Sequence, residues 1–281
     1  MANEKQKEYW THVAGKKWLA MGGAMEARMT EINDAVIEEA SLKPGETVLD
    51  IGCGAGVTSL AAAAYVRPGG RVRGIDVSET MLSAARKSAD ESPAQSLDFV
   101  LADAQTDDLG LCARVLISRF GVMFFEDPVA AFSNLRRNAA AKARMAFAAW
   151  APLSKNQHWL KPLELAKNLV GEGTTRRPHA PGPLAFADLD YVLDILKKSG
   201  WKNPLIKEKK VYLLGESLAR EAQICCVMGP SGALFEEKCS DAKTLKHAES
   251  IFLEALPDYA EVMPNGQVKL PATIHMITAN L

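Results

Sequence analysis

The sequence predicts an α/β fold, a doubly wound and mostly parallel sheet with helices on both faces. Between residues 47 and 150, short apolar runs rich in β-branched residues alternate with helical segments. Such alternation is typical of a parallel sheet, because each helix carries the chain back to start the next strand. One of these strands also runs directly into a glycine-rich turn and then a helix. A chain of 281 residues is long enough for one such domain with an added cap.

The individual elements follow from hydrophobic periodicity and from turn and capping residues. Strands are predicted at 47–51, 71–75, 97–101, 114–118 and 145–150, with closing strands at 205–214 and 268–278. Helices are predicted near 4–20, 30–40, 57–66, 78–89, 129–140 and 189–196, and residues 216–264 are predicted to be largely helical. Ser78 and Asp127 are placed as N-caps, and Pro128 occupies the first helical position after Asp127.

Composition excludes several classes of protein. Thirty-three basic residues against 34 acidic ones give a formal charge of −1, so no electrostatic signature of nucleic-acid binding is present. No apolar run approaches the roughly 18 residues of a membrane-spanning helix, and residues 1–17 lack the apolar region of a signal peptide. Five cysteines without C-x-x-C spacing and five scattered histidines indicate reduced thiols and no metal site. We therefore expect a cytoplasmic, metal-free protein without nucleic-acid or membrane partners.

The glycine-rich turn is the most informative segment. Asp50 ends a predicted buried strand, and glycines follow at positions 52, 54 and 56. Glycine has no Cβ, which permits a tight turn and close approach of a ligand to the backbone. A dinucleotide-binding G-x-G-x-x-G loop would place its third glycine at position 57, where Val57 stands instead. The acidic Asp50 is unfavourable beside a pyrophosphate but suits a ligand that carries an amino or sulfonium group.

Two segments carry a family resemblance. Residues 48–56 resemble the first motif of class I S-adenosylmethionine (SAM)-dependent methyltransferases, and residues 118–128 resemble a signature of the type-11 subset, which includes many small-molecule methyltransferases. The resemblance implies a seven-stranded Rossmann-like methyltransferase sheet with N-terminal helices and a helical cap insertion. The chain departs from the family at residues 112–114, where relatives often have an acidic residue, and at residues 140–144, which replace a usual Pro-Gly-Gly.

The same resemblance implies four units along the chain. Residues 1–45 are N-terminal helices that cover the cofactor site, and residues 46–150 are the SAM-binding core. Residues 151–187 form a lid or cap segment, consistent with their many proline and glycine turn signals. Residues 188–281 complete the core and contain a helical insertion.

The implied cofactor site draws on every part of the core. Its members are Asp50, Gly52, Cys53, Gly54, Gly56, Asp76, Val77, Met81, Asp103, Ala104, Ser118 and Trp10. Asp76 ends the second strand, 26 residues after Asp50, where an acidic residue accepts the ribose hydroxyls in such folds. Met81 would pack on the adenine. An acid that merely stabilises a helix N-terminus is the alternative interpretation of Asp76.

Three further roles come from the resemblance. Asp103 would accept the adenine amino group and the Ala104 amide would donate to a ring nitrogen, while the backbone of Ser118 would face the methionine part of SAM. An ordinary exposed loop acid is the alternative for Asp103. Trp10 belongs to an N-terminal helix that would close over the cofactor, although packing of an amphipathic helix explains it nearly as well.

Acceptor-side residues are less well specified. Phe120, Met123, Phe124 and Trp159 are candidates for the substrate pocket, with core packing as the alternative. His158 is the first candidate for a catalytic base, which is required only if the acceptor must lose a proton. His12 and His179 follow it. For each of these histidines a surface or hydrogen-bonding role is the simpler interpretation.

The sequence therefore predicts a SAM-dependent methyltransferase that moves a methyl group to a hydroxyl or amine of a small, largely apolar, ring-containing metabolite. Carbon methylation of the quinone type and a non-catalytic SAM-binding protein remain alternatives. An NAD(P)-dependent oxidoreductase is disfavoured by the glycine spacing and by the lack of a Tyr-x-x-x-Lys pair. Whether the chain forms a homodimer is left open.

Overall fold

A computed structural model describes residues 3–91, 96–175 and 177–281. Met1 and Ala2 of the predicted N-terminal unit (1–45) lie outside the described residues, as does Arg176 of the predicted lid (151–187). Residues 92–95, between the helix predicted at 78–89 and the strand predicted at 97–101, also lie outside them.

The strands form one mixed, mostly parallel sheet. They are β1 (Thr47–Ile51), β2 (Arg71–Asp76), β3 (Leu97–Leu101), β4 (Ala113–Arg119), β5 (Ala139–Trp150), β6 (Lys202–Gly215), β7 (Glu261–Val262) and β8 (Val268–Asn280). The order is β3-β2-β1-β4-β5-β8-β6, and the two-residue β7 pairs with β8 outside this path. Strands β1 to β5 pair in parallel, and β8 runs antiparallel to both β5 and β6. The predicted doubly wound, seven-stranded sheet is thus confirmed, with β7 as an addition.

Helices flank the sheet and build a separate cap. They are α1 (Glu4–Tyr9), α2 (Gly15–Ala20), α3 (Gly23–Arg28), α4 (Thr30–Ala40), α5 (Val57–Tyr65), α6 (Glu79–Asp90), α7 (Pro128–Arg137), α8 (Gln157–Val170), α9 (Leu189–Lys198), α10 (Leu218–Val227), α11 (Gly229–Glu237) and α12 (Ala242–Ala255). A π-helical turn, Trp10–Ala14, joins α1 to α2. Helices α8, α10, α11 and α12 pack on one another as the cap, and α4 packs on strands of the sheet. Among the described residues, no helix combines the length and apolar character that crossing a bilayer requires.

The capping residues predicted from sequence make the expected hydrogen bonds. The Ser78 side chain accepts from the Met81 amide, and the Asp127 side chain accepts from the Ala130 amide. These bonds satisfy backbone donors that the first helical turn leaves without partners. They fix where α6 and α7 begin, at the edge of the sheet where β2 and β4 end.

The segment after α7 differs from the prediction. The helix predicted at 129–140 ends at Arg137, and β5 begins at Ala139 rather than at 145. Alanine favours helices, but Ala139 pairs with Ala113 of β4, and the Ala113 amide donates to the Asn138 carbonyl at 3.0 Å. Sheet pairing at this point overrides the helical preference of an alanine-rich segment.

Candidate active site

A cavity of about 1040 Å³ opens at the carboxyl ends of β1, β2, β4 and β5. The N-terminal helices and the cap helices α8, α10 and α11 enclose it. Ligands of doubly wound sheets bind at this edge, where the strand order reverses between β1 and β4. Pockets for small-molecule ligands span roughly 300–1,000 Å³, so the cavity is as large as the largest of them.

The glycine loop forms the floor of the cavity beside β1. Gly52 has φ of 63°, and a Cβ at that position would lie 2.7 Å from the Gly121 Cα. Only glycine permits both this backbone conformation and this close approach. Gly56 also has a positive φ, but a Cβ there would meet the Phe99 ring at 2.7 Å, so Gly56 packs against the sheet side. Of the loop residues, Gly52, Cys53, Gly54 and Ala55 line the cavity and Gly56 does not.

Asp50 and Arg119 present unpartnered polar atoms at this end of the cavity. Asp50 is fully buried, its Oδ2 accepts from Ser59 Oγ at 2.6 Å, and its Oδ1 has no partner among the described residues. Arg119 Nη2 donates to Glu26 Oε2 at 2.7 Å, and Nη1 is likewise without a partner in the described part of the chain. Burial raises the pKa of Asp50 to about 6, against the opposing hydrogen bond from Ser59. An acid and a guanidinium together fit the ammonium and carboxylate of an amino acid, such as the methionine end of SAM.

Asp76 is held rigidly on the next strand. Its Oδ2 accepts from the Gly54 amide and its Oδ1 from the Ser78 amide, both at 2.9 Å. Burial raises the pKa of Asp76, while these backbone bonds act in the opposite direction. Asp76, Val77 and Met81 all line the cavity beside the glycine loop, which is where a ribose and an adenine would follow the methionine end.

Asp103 has a partner that sequence reasoning missed. Its Oδ1 accepts from Asn3 Nδ2 at 2.8 Å and from the Gln105 amide at 2.9 Å. Ala104 lines the cavity, whereas Asp103 does not. The adenine-reading role of Asp103 therefore stays a prediction, and one of its oxygens already holds the N-terminal segment.

Ser118 lies behind the cavity wall. Its Oγ donates to the Ile51 carbonyl at 2.7 Å and accepts from the Gly121 amide at 3.1 Å, which ties the ends of β1 and β4 together. The next residue, Arg119, lines the cavity instead. The predicted approach of SAM to the Ser118 backbone is untested by these contacts.

The N-terminal segment covers the cavity and is fastened to α6. The Trp10 carbonyl accepts from Ser78 Oγ at 3.1 Å, and the Thr11 carbonyl accepts from Thr80 Oγ1 at 2.9 Å. The Trp10 ring lines the cavity and meets the Phe124 ring edge-on, with centroids 5.0 Å apart. Trp10 is therefore placed over the predicted cofactor site.

An aromatic wall of Phe120, Trp150 and Trp159 extends from the end of β4 to α8. Phe120 stacks on Trp150 with centroids 4.4 Å apart and planes at 10°, and Trp150 lies 4.6 Å from Trp159. Phe120 has φ of 71°, a left-handed conformation that costs energy for any residue with a Cβ. The wall lines the cavity together with Met123 and Phe124, which places all four predicted pocket residues at the cavity.

His158 is a poor candidate for a base. It is 2% exposed, and neither ring nitrogen has a hydrogen-bond partner among the described residues. Burial, and then the nearby positive charge of Arg28, lower the pKa of His158 to about 3. The imidazole is therefore neutral at physiological pH and accepts protons weakly, which does not suit the predicted catalytic role.

Of the other two candidate histidines, His179 lines the cavity and its role as a base stays a prediction. His179 Nε2 lies 3.1 Å from Asp188 Oδ2, and its ring stacks on Tyr191 at 3.8 Å. His12 is exposed. Within the described part of the chain, no group of three or more His, Cys, Asp or Glu side chains could hold a metal ion.

Sequence reasoning also missed Glu26, Arg28 and Arg119. Arg119 lies inside the segment that resembles the type-11 signature, so its position at the end of β4 was a usable signal. Glu26 and Arg28 lie on α3, and no sequence motif in that helix indicates that its residues reach the cavity. Only the packing of α3 against the sheet brings them to the cavity.

Comparisons with known proteins agree with this geometry. Residues 42–172 match a family model described as a methyltransferase domain. The chain is 33% identical over 126 residues to the aklanonic acid methyltransferase DauC of Streptomyces sp. (strain C5), an alignment that covers 44% of this chain and 53% of that protein. It is 42% identical over 64 residues to an arsenite methyltransferase of Halobacterium salinarum, covering 23% and 16% of the two chains. The chain thus spans about half, or less, of the length of these curated relatives.

Solved structures share the fold at low identity. The YcgJ protein of Bacillus subtilis superposes with a TM-score of 0.54 at 16% identity, covering 89% of this chain and 98% of that one. The magnesium protoporphyrin IX methyltransferase of Synechocystis PCC 6803, a structure with bound S-adenosylhomocysteine, gives 0.53 at 20% identity and covers 74% and 91%. The family model includes the glycine loop, and the methyltransferase relatives and the shared fold agree with it, so residues 42–172 resemble a SAM-dependent methyltransferase domain.

Proposed function

We propose that this chain transfers the methyl group of SAM to a hydroxyl or amine of a small, largely apolar, ring-containing metabolite. The observation that carries the proposal is the pair of unpartnered atoms, Asp50 Oδ1 and Arg119 Nη1, beside Gly52 and the fixed carboxylate of Asp76. Buried polar atoms without partners are costly, and a bound amino-acid group would satisfy both. The relative DauC, named as an aklanonic acid methyltransferase, supports a small-molecule acceptor.

The residues divide the task of binding and orienting. When bound, SAM would supply a methyl group on a sulfonium, which an acceptor nucleophile would take directly as S-adenosylhomocysteine leaves. Asp50 and Arg119 would hold the methionine end, Asp76 would hold the ribose, and Trp10 would cover the site and exclude water. Aligning the acceptor behind the methyl group would be the main contribution of the aromatic wall, because proximity and orientation alone accelerate such reactions greatly.

Calorimetric titration with SAM and, separately, with NADH tests the cofactor. We expect SAM to bind and NADH not to bind. Replacing Asp76 by Asn should weaken SAM binding, since each lost hydrogen bond to a charged group is worth about 1.5–3 kcal/mol. Asp98→Asn is the matched control, because Asp98 lies on β3 and pairs with Arg73 away from the cavity. If Asp76→Asn bound SAM as tightly as the wild type does, the ribose would bind elsewhere. If the wild type bound NADH and not SAM, the methyltransferase proposal would be wrong.

A second experiment separates catalysis from simple SAM binding. Release of S-adenosylhomocysteine is measured with panels of phenols, amines and quinols. Turnover with a phenol or amine is the expected result. Turnover only with quinols that gain a C-methyl group would favour the quinone-type alternative. Tight SAM binding without turnover of any acceptor would favour a non-catalytic SAM-binding protein.

A further inference from the structure

A buried polar cluster lies at the β6 side of the cavity, away from the predicted cofactor residues at the ends of β1, β2 and β3. It consists of Arg28 on α3, His158 on α8, Glu221 and Cys225 on α10, and Tyr259. Arg28 is 5% exposed and Glu221 1%, and Arg28 Nη1 pairs with Glu221 Oε2. Arg28, His158 and Cys225 line the cavity, while Glu221 lies behind them.

Several polar atoms of this cluster lack partners. Among the described residues, Glu221 Oε1, the Tyr259 hydroxyl and both ring nitrogens of His158 make no hydrogen bond. A guanidinium has five N–H donors, and in the described part of the chain Arg28 uses them only toward Glu221. Since Arg28 lines the cavity, its remaining donors are available to an oxygen atom of a ligand.

The positive charge of Arg28 is already balanced by Glu221, and both side chains are buried. A carboxylate without a cation of its own would place a second negative charge beside this buried, already neutralised guanidinium, and its desolvation would go uncompensated. The carboxylate of SAM at Arg119 differs, because the ammonium group of the same molecule, held by Asp50, would balance its charge. A carbonyl or hydroxyl oxygen would accept the same hydrogen bonds without adding charge. The cluster therefore favours a neutral oxygen.

The aromatic wall leads from the cofactor end of the cavity to this cluster. Trp150 and Trp159 lie 5.5 Å and 5.1 Å from the His158 ring, beside Arg28. Aromatic side chains of this kind pack against flat rings by stacking and edge-on contact. An acceptor on this wall would have its ring against Phe120 and Trp150 and a polar substituent pointing to Arg28.

We propose that the acceptor is an uncharged, planar aromatic compound whose carbonyl or hydroxyl oxygen binds Arg28 while its ring rests on the aromatic wall. This rests on the proposed function, because it assigns the acceptor half of the same cavity. Arg28 is a positioning residue in this arrangement. Glu221 neutralises Arg28, so that Arg28 favours an uncharged group of the ligand over a carboxylate.

Three probes of nearly the same shape test the proposal: 2-acetylnaphthalene, 2-naphthoate and 2-ethylnaphthalene. They present a neutral oxygen, a carboxylate and no oxygen, respectively. Their binding to the full chain is measured by calorimetry with saturating S-adenosylhomocysteine and again without it. We expect 2-acetylnaphthalene to bind at least tenfold more tightly than either of the others. Equal or tighter binding of 2-naphthoate, or equal binding of 2-ethylnaphthalene, would overturn the proposal.

Variants of the Arg28–Glu221 ion pair test which of the two residues sets the preference among the probes. Glu221→Gln keeps the side-chain shape but leaves Arg28 charged, so 2-naphthoate should bind at least tenfold more tightly than to the wild type. The double variant Arg28→Met with Glu221→Met leaves no lone buried charge and should abolish the preference for 2-acetylnaphthalene over 2-ethylnaphthalene. Lys155→Met with Glu208→Met is the matched control, because that exposed pair does not line the cavity. An unchanged probe order in Glu221→Gln would contradict the role of Glu221.

The outcomes also separate the two proposals. If S-adenosylhomocysteine binds and none of the probes does, the acceptor assignment fails and the proposed function stands. If S-adenosylhomocysteine does not bind, the proposed function fails, and the probe order measured without it still tests the Arg28 cluster. Because the wild-type ranking alone is decisive, the test does not depend on any variant folding.

Discussion

The side chain of Asn3 joins Asp103 to the loop before α7: its Nδ2 donates to Asp103 Oδ1 at 2.8 Å, and its Oδ1 accepts from the Glu126 amide at 2.9 Å. These two bonds fasten the start of the N-terminal segment across the loops that follow β3 and β4. The segment then passes over the cavity at Trp10 and Ala14. Asn3 therefore holds the N-terminal segment, which covers the predicted cofactor site, in place.

Asn3→Ala should loosen this cover. Each lost bond contributes about 0.5–1.5 kcal/mol, or up to 3 kcal/mol where the partner is charged, so SAM should dissociate at least several-fold faster. Stopped-flow displacement of SAM measures the dissociation rate. Lys5→Ala is the control, since Lys5 is on the same helix and does not line the cavity. An unchanged dissociation rate in Asn3→Ala would mean that the cover does not limit cofactor release.

The affinity for SAM should depend on pH through Asp50. Burial raises the pKa of Asp50 to about 6, and only its ionised form attracts the ammonium group of SAM. Affinity should therefore be highest above pH 6 and fall as the pH drops through 6, approaching about tenfold per pH unit for one linked proton. Calorimetry between pH 5 and 8 measures the slope.

The Asp50→Asn variant should bind SAM weakly between pH 5 and 8. Its affinity should depend on pH through one linked proton fewer than that of the wild type. An affinity of the wild type that is flat from pH 5 to 8 would contradict the assignment of Asp50 to the ammonium group.

The left-handed backbone of Phe120 predicts an unusual order of stability. Phe120→Ala and Phe120→Gly both remove the ring that stacks on Trp150, but only glycine adopts φ of 71° without strain. Phe120→Gly should therefore be more stable than Phe120→Ala by about 1 kcal/mol. Urea unfolding of the two variants measures the difference. A more stable alanine variant would show that the backbone at position 120 relaxes without cost.

Phe120 also predicts a functional effect that stability does not explain. Both variants should retain SAM affinity and show a raised KM for any acceptor found in the turnover screen, because the aromatic wall loses its first ring. Tyr65→Ala serves as the control, since Tyr65 is an exposed aromatic on α5. If both Phe120 variants kept the wild-type KM, the aromatic wall would have no part in binding the acceptor.

His158 should make the fold sensitive to acid. Its pKa falls from an ordinary 6.5 to about 3 on folding, so between these values the unfolded chain binds one proton more than the folded chain. The free energy of unfolding should therefore decrease by about 1.4 kcal/mol per pH unit as the pH falls below 6.5. Asp50 acts with the opposite sign, because its raised pKa makes the folded chain bind the extra proton between pH 3.8 and about 6.

His158→Phe removes the titrating imidazole. The free energy of unfolding of this variant should therefore depend less on pH below 6.5 than that of the wild type. Thermal unfolding followed at pH 4.5, 5.5 and 6.5 compares the variant with the wild type and with His12→Phe, which changes an exposed histidine. Identical pH slopes for all three proteins would show that His158 is protonated in the folded state. Turnover retained in His158→Phe would agree with its neutral state and would exclude it as the base.

Much of the fold was predictable because it depends on local signals. Alternating β-branched runs and glycine turns located β1 to β4, and Ser78 and Asp127 made the predicted caps, since capping depends on residues within one turn. The start of β5 was wrong because Ala139 takes its conformation from pairing with Ala113, a partner 26 residues away. The break of the first helix into α1, a π turn and α2 had no sequence signal either.

The sequence by itself determined the strands of the parallel sheet and predicted the residues that would hold a cofactor, because those residues follow strands whose carboxyl ends must meet at one edge. Only the tertiary structure decided which residues form the β6 side of the cavity. Arg28, His158 and Glu221 lie on three different helices and are more than 60 residues apart in the chain, and no spacing rule relates them. Their burial beside one another lowers the pKa of His158 and pairs Arg28 with Glu221. Charge and proton affinity at that end are properties of packing, since they depend on which groups exclude water from which others.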